Sequence, residues 1–152
     1  MKSVKKILLA ALVLAASVAV LGSCSKEEVP QSYLDVTASN LAGSWKLVSI
    51  DGADLAMDSF FEISFVRKDK TFTINTNMDT FAPGDHYRTG RFSILEDQRY
   101  GSILKGEYDH GQGSWANSYI VRHLTKDSME WVTMGEPSHI QVFERKVTHE
   151  AD

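Results

Sequence analysis

Cys24 is the sole cysteine among 152 residues, so the chain's one thiol has no partner for an internal disulfide. Its chemistry is therefore that of a single nucleophilic sulfur, either left free or modified. The other groups able to do chemistry are scattered. Five histidines (His86, His110, His123, His139, His149) form no HxH, HxxxH or Cys/His spacing, so no metal is expected. Carboxylates neighbour histidine in the stretch from Asp79 to His86 and in Glu107-Tyr108-Asp109-His110, both at expected loops or strand ends, where acids are ordinary. Asn75-Thr76-Asn77-Met78-Asp79 opens like a calcium loop but lacks the glycine at position six and the glutamate at twelve. An Asp109/His110/Ser114 triad would need a base to reach a nucleophile four residues away within the loop that holds Gly111-Gln112-Gly113. No Gly-x-Ser-x-Gly elbow, P-loop or dinucleotide fingerprint is present. Neither an enzyme nor a cofactor is expected.

The residues before Cys24 say what its sulfur is for. Lys2, Lys5 and Lys6 make a positive start, and Ile7 to Leu21 is an apolar run without charge. Fifteen residues at about 1.5 Å each reach roughly 22 Å, short of a hydrocarbon core of about 30 Å, so a permanent transmembrane helix is disfavoured. Leu21-Gly22-Ser23-Cys24 then resembles the lipobox of bacterial lipoproteins. That resemblance implies cleavage after residue 23, a diacylglyceryl thioether on Cys24 and an acylated new N-terminus. An ordinary signal peptide cut near Ser23, leaving a free thiol, is the other reading. An exposed single thiol is a liability in the oxidising compartment that an exported chain enters, and acylation removes it. Ser25-Lys26-Glu27-Glu28 resembles the Lys-plus-acidic tether with which some Gram-negative bacteria send lipoproteins to the outer face of the outer membrane. A plain solvated linker is the alternative. The expected location is thus the cell envelope, with a lipid anchor in the outer membrane.

Removing residues 1–23 takes away three lysines and no acid, so the formal charge moves from −4 to −7. Such a surface repels nucleic acid and anionic headgroups, and no nucleic-acid partner is expected. The 129 residues that remain suffice for one domain and one core. From Leu41 the chain reads as strand after strand: 44–50, 59–66, 71–77, 86–95, 100–109, 115–124, 128–134 and 139–147. Period-two alternation and turn signals such as Asp51-Gly52 and Pro83-Gly84-Asp85 mark them. A helical turn is allowed near Tyr33-Leu34 and at 53–58. Eight sequential hairpin strands favour an all-β, antiparallel up-and-down barrel, because closure removes exposed edges. The expected organisation is a signal peptide (1–23), the lipidated cysteine and a flexible tether (24–40), the barrel (41–148) and a disordered tail (149–152).

Gly43-Ser44-Trp45 at the first strand is similar to the Gly-x-Trp opening of lipocalins. Ser128-Met129-Glu130-Trp131 with Gln141-Val142-Phe143-Glu144-Arg145 resembles the closing hairpin of bacterial lipocalin-like lipoproteins. The likeness spans roughly residues 41–147, with recognisable motifs at its two ends. It implies a structural trio, Gly43, Trp45 and Arg145, with the arginine over the indole at the barrel's closed end. A cation–π contact of this kind is worth about 0.5–2 kcal/mol.

Alternation proposes one inward set: Phe61, Ile63, Phe65, Phe72, Ile74, Tyr119, Val121, Met129 and Trp131. In lipocalin-like proteins such residues line an apolar pocket for a small hydrophobic ligand. They can equally fill the core, since an eight-stranded interior is only just wide enough for either. In the filled case the barrel presents its loops to another cell-surface protein. An exposed aromatic patch is then expected around 78–86 and 110–117, edged by Phe81, Tyr87 and Trp115.

Overall fold

Alternating apolar and polar residues carry most of the chain into strands, and the pairing of those strands fixes the architecture. The computed structural model describes residues 31–78 and 87–147. The chain divides into two units, Met1–Gln31 and Ser32–Asp152. Cys24, the signal segment, Phe81, His86, His149 and the expected tail lie outside the described residues.

One helical turn, α1 (Ala38–Leu41), opens the second unit. Thr37 caps it, its hydroxyl accepting from the Asn40 N–H at 3.1 Å. The nine strands are β1 (Gly43–Ile50), β2 (Ala53–Asp54), β3 (Phe61–Val66), β4 (Thr71–Thr76), β5 (Tyr87–Asp97), β6 (Gly101–Tyr108), β7 (Tyr119–Arg122), β8 (Ser128–Thr133) and β9 (Ile140–Arg145). All pairings are antiparallel and follow chain order from β3 to β9, while β1 lies between β3 and β9. Eight strands, β1 and β3 to β9, thereby close into an up-and-down barrel. The two-residue β2 merely folds back on the end of β1 through Asp51-Gly52, both at positive φ, the requirement of a tight hairpin turn. A register shift between Leu47 and Ser49 lets β1 bend towards β9.

One end of the barrel is shut. Leu41, Trp45 and Leu124 are buried there, and the Trp45 indole N–H donates to the Leu41 carbonyl at 2.9 Å. Arg145, the Cα partner of Trp45, places its guanidinium 4.1 Å from the indole ring centre. Its three nitrogens donate to the carbonyls of Lys126 (Nε, 2.5 Å), Ala42 (Nη1, 2.6 Å) and Asn40 (Nη2, 3.1 Å). Gly43, at φ +113°, must be glycine, since a Cβ there would stand 2.5 Å from Arg145 Nη1. Burial lowers the guanidinium's pKa from its ordinary value.

The middle of the barrel is solid. Trp131 packs against Phe143 with ring centres 4.4 Å apart, and Phe65 meets Phe92 edge-on at 5.0 Å. Three sequence expectations differ from the fold. The helical turn falls at Ala38–Leu41, where Thr37 caps it, and not near Tyr33-Leu34. Residues of the expected tether pack on the closed end: the Leu34 N–H donates to the Leu124 carbonyl at 2.8 Å, and Tyr33 lies against the His123 ring. The sixth barrel strand starts at Tyr119, not at residue 115. The chain before it instead turns inward at Trp115.

Candidate ligand cavity

Opposite the shut end, the segments after β2, β6 and β8 lie at the barrel mouth. Below the mouth lies a cavity of about 480 Å³, within the range of small-molecule sites. Its apolar wall comes from Phe61 on β3, Ile74 on β4 and Tyr119 on β7. Strand alternation aims all three inward, and register sets Ile74 beside Ile63 and Arg88. Beneath them the core takes over, as Phe61 meets Phe143 at 6.1 Å and Tyr119 meets Trp131 at 4.9 Å. Burial raises the pKa of the Tyr119 phenol, against a smaller opposing effect of its hydrogen bond with Asn117.

The polar side of the cavity belongs to Arg88 near the start of β5, Tyr108 at the end of β6, and Gln112 and Ser114 in the loop beyond. Arg88 shares the inward face of β5 with Gly90 and Phe92, and its guanidinium carbon lies 5.2 Å from the Tyr108 ring centre. Thr76 is buried with its hydroxyl committed: it donates to the Phe60 carbonyl at 2.8 Å and accepts from the Met78 N–H at 3.0 Å. It fixes the rim and does not await a ligand.

Of the nine residues expected inside, Phe61, Ile74 and Tyr119 line this cavity. Ile63, Phe65, Phe72, Val121, Met129 and Trp131 lie in the solid core beneath it. The interior is thus filled at one end and hollow at the other. Sequence reasoning missed Arg88 and Tyr108, because alternation was followed through apolar side chains only. The signal was there: Arg88 stands four residues before Phe92, on the same face of one strand.

Trp115 is a correction. Expected at the edge of an exposed patch, it is half-buried and packs inside against Phe72 at 4.9 Å and, stacked, against Trp131 at 5.8 Å. Gly106 makes the room, since a Cβ there would lie 2.0 Å from the indole. The Trp115 N–H donates to the Gly106 carbonyl at 2.9 Å and the Tyr108 N–H to that of Gly113 at 2.8 Å, holding the loop on β6. The indole nitrogen of Trp115 is buried with no hydrogen-bond partner among the described residues. Tyr87, by contrast, is 59% exposed. Asp109 accepts from the Thr89 hydroxyl at 2.7 Å. No group of three or more metal-ligating side chains occurs among the described residues.

Neither a family model nor a curated protein matches the chain. Several solved structures are similar to it, among them the following two. One is a point mutant of the fluorescent protein UnaG, 13% identical over 73% of this chain and 99% of that one, with a TM-score of 0.43. The other is human cRBP IV, 18% identical over 70% of this chain and 98% of that one, with a TM-score of 0.36. The fold itself rests on the strand pairing: a closed, eight-stranded antiparallel barrel with one end plugged and a cavity at the other.

Proposed function

We propose that this chain is an exported lipoprotein, held in the outer membrane by lipid on Cys24, whose barrel binds a small apolar or amphipathic molecule at its open end. The cavity of about 480 Å³ carries the binding half of the reading. A barrel filled throughout would leave no such space. The alternative, a filled barrel that presents its loops to another cell-surface protein, expected Phe81, Tyr87 and Trp115 at the edge of an exposed patch. Tyr87 is exposed, Phe81 lies outside the described residues, and the interior is not solid throughout. Trp115 points inward.

The anchoring half rests on the sequence Leu21-Gly22-Ser23-Cys24 and on the chain's having no second cysteine. Two or more acyl chains, at about 0.8 kcal/mol per buried methylene, hold a protein at a membrane stably. Intact-mass measurement of the protein from its host membrane tests this directly. A species that begins at Cys24 and carries the mass of a diacylglyceryl group and an acyl chain is expected. A species with an unmodified thiol would overturn the anchor. Native mass spectrometry of the same preparation tests binding: a co-purifying small molecule is expected, and a ligand-free spectrum at every detergent condition counts against it.

A further inference from the structure

We infer that the barrel stands on its anchoring membrane closed end down, so that the cavity opens away from the bilayer and exchanges its molecule with the medium. This rests on the lipid anchor proposed at Cys24 and on the cavity as a binding site, and it adds the side from which the ligand comes. The strap that precedes β1 carries it. Residues 33–42 are tied across the shut end. The Leu34 N–H donates to the Leu124 carbonyl at 2.8 Å, and the Tyr33 ring lies 4.7 Å from that of His123. Further along, the Asn40 side chain donates to the Asp35 carbonyl at 2.8 Å, and Arg67 Nη1 donates to the Ser39 hydroxyl at 3.4 Å. His123 and Leu124 follow β7 while Arg67 follows β3, so the strap crosses beneath the barrel from one side to the other. Val36 and Ala38 pack against the core on the way.

A chain coming from the membrane therefore meets the barrel at Tyr33, on the closed end, and not at the first strand. Nine residues of chain lead from Cys24 to Tyr33, so the two stay within about 32 Å of each other along any path. The eight residues of β1 cover about 26 Å along the strand, or about 20 Å along the axis of a barrel with the usual strand tilt. Turning the mouth to the bilayer would spend most of the reach on passing the barrel wall, leaving only nearly straight paths. With the closed end down almost every path is open, and the difference is one of chain entropy. Tyr33 and Leu34 on the strap and Tyr100 in the β5–β6 turn are exposed at this end, and a tyrosine's apolar ring and polar tip suit a headgroup layer. A molecule drawn from the anchoring leaflet would need the mouth at that leaflet. Here it has to arrive through the medium.

The test reads distance from the bilayer at the two ends. Lys68→Cys marks the β3–β4 turn at the closed end and Ser138→Cys the segment between β8 and β9 at the mouth, both at exposed positions. Each variant is taken from its host membrane, where lipid on Cys24 leaves the new thiol as the one a fluorophore can label. It is then bound to the outside of phosphatidylcholine vesicles that carry an acceptor dye on a headgroup. Energy transfer from position 68 is expected to exceed that from position 138 by at least about twofold, for ends on the order of 20 Å apart. Equal transfer, or more from position 138, overturns the orientation and leaves the anchor standing. A chain that does not float with the vesicles fails the anchor reading instead, and the orientation with it. Leu34→Pro, which lacks the N–H that Leu124 accepts, frees more tether and should bring the two values together. Values that stay as far apart overturn the strap as their cause. Should Leu34→Pro not fold, the pair at 68 and 138 still decides.

Discussion

Arg145 ties three stretches of chain with one side chain, because its nitrogens meet carbonyls at Asn40, Ala42 and Lys126 while its face covers Trp45. Charged-group hydrogen bonds contribute about 1.5–3 kcal/mol each when made by partly buried donors, though such values do not add. Arg145→Met should therefore destabilise the barrel by about 2–4 kcal/mol, read as a lower urea midpoint. Arg145→Lys should recover little, since an ammonium lacks the planar fork that reaches three acceptors. Trp115 offers the opposite case. Its buried indole N–H has no partner among the described residues, which carries a penalty of roughly 1–3 kcal/mol that Trp115→Phe relieves while giving up some contact. That variant should lose less than about 1.5 kcal/mol, well under the usual cost of trimming a core aromatic, and a larger loss in the urea midpoint would refute the account. At this scale the sequence was readable where a residue is apolar and inward, as at Phe61 or Trp131. Arg88 is not legible in this way, because a polar side chain ordinarily marks the outer face of a strand, while here it shares the face of Phe92.

Strand limits were legible because alternation and turn dipeptides act locally, and Asp51-Gly52 is the clearest example. The β1–β2 turn also carries a charge device. Asp51 accepts from the Ile140 N–H at 2.8 Å and meets His139 Nδ1 at 2.6 Å. The His139 hydrogen bond, followed by the backbone donor, holds its carboxyl below the ordinary value of 3.8. A group with a lowered folded pKa adds stability above its unfolded pKa and loses it as pH falls through the folded value. Wild type and Asp51→Asn should thus differ in melting temperature at pH 6, and the difference should shrink below about pH 4. The inward turn before β7 was not legible, because it depends on Gly106, a residue of another strand. Gly106→Ala should push the Trp115 ring out of its seat, lower stability by about 1–3 kcal/mol and shift tryptophan emission to the red. An unshifted emission maximum would show that the ring stays.

For the barrel as a whole, eight strands, their order and the motif pair at the two ends were foreseeable from the sequence. The division of the interior into a solid and a hollow part was not, since it depends on how aromatics from six strands meet. Closure also sets a size threshold. A chain ending before Ile140 lacks β9, exposing the edges of β1 and β8 together, and should show no cooperative urea transition. The β1–β9 pairing has a further consequence, one of timing. Trp45 is made about a hundred residues before Arg145, so the strand that appears first waits for the strand that appears last. On the proposal that the chain is exported N-terminus first, the barrel cannot be completed while the chain is in transit. Its topology keeps it unfinished until nearly all of it has arrived.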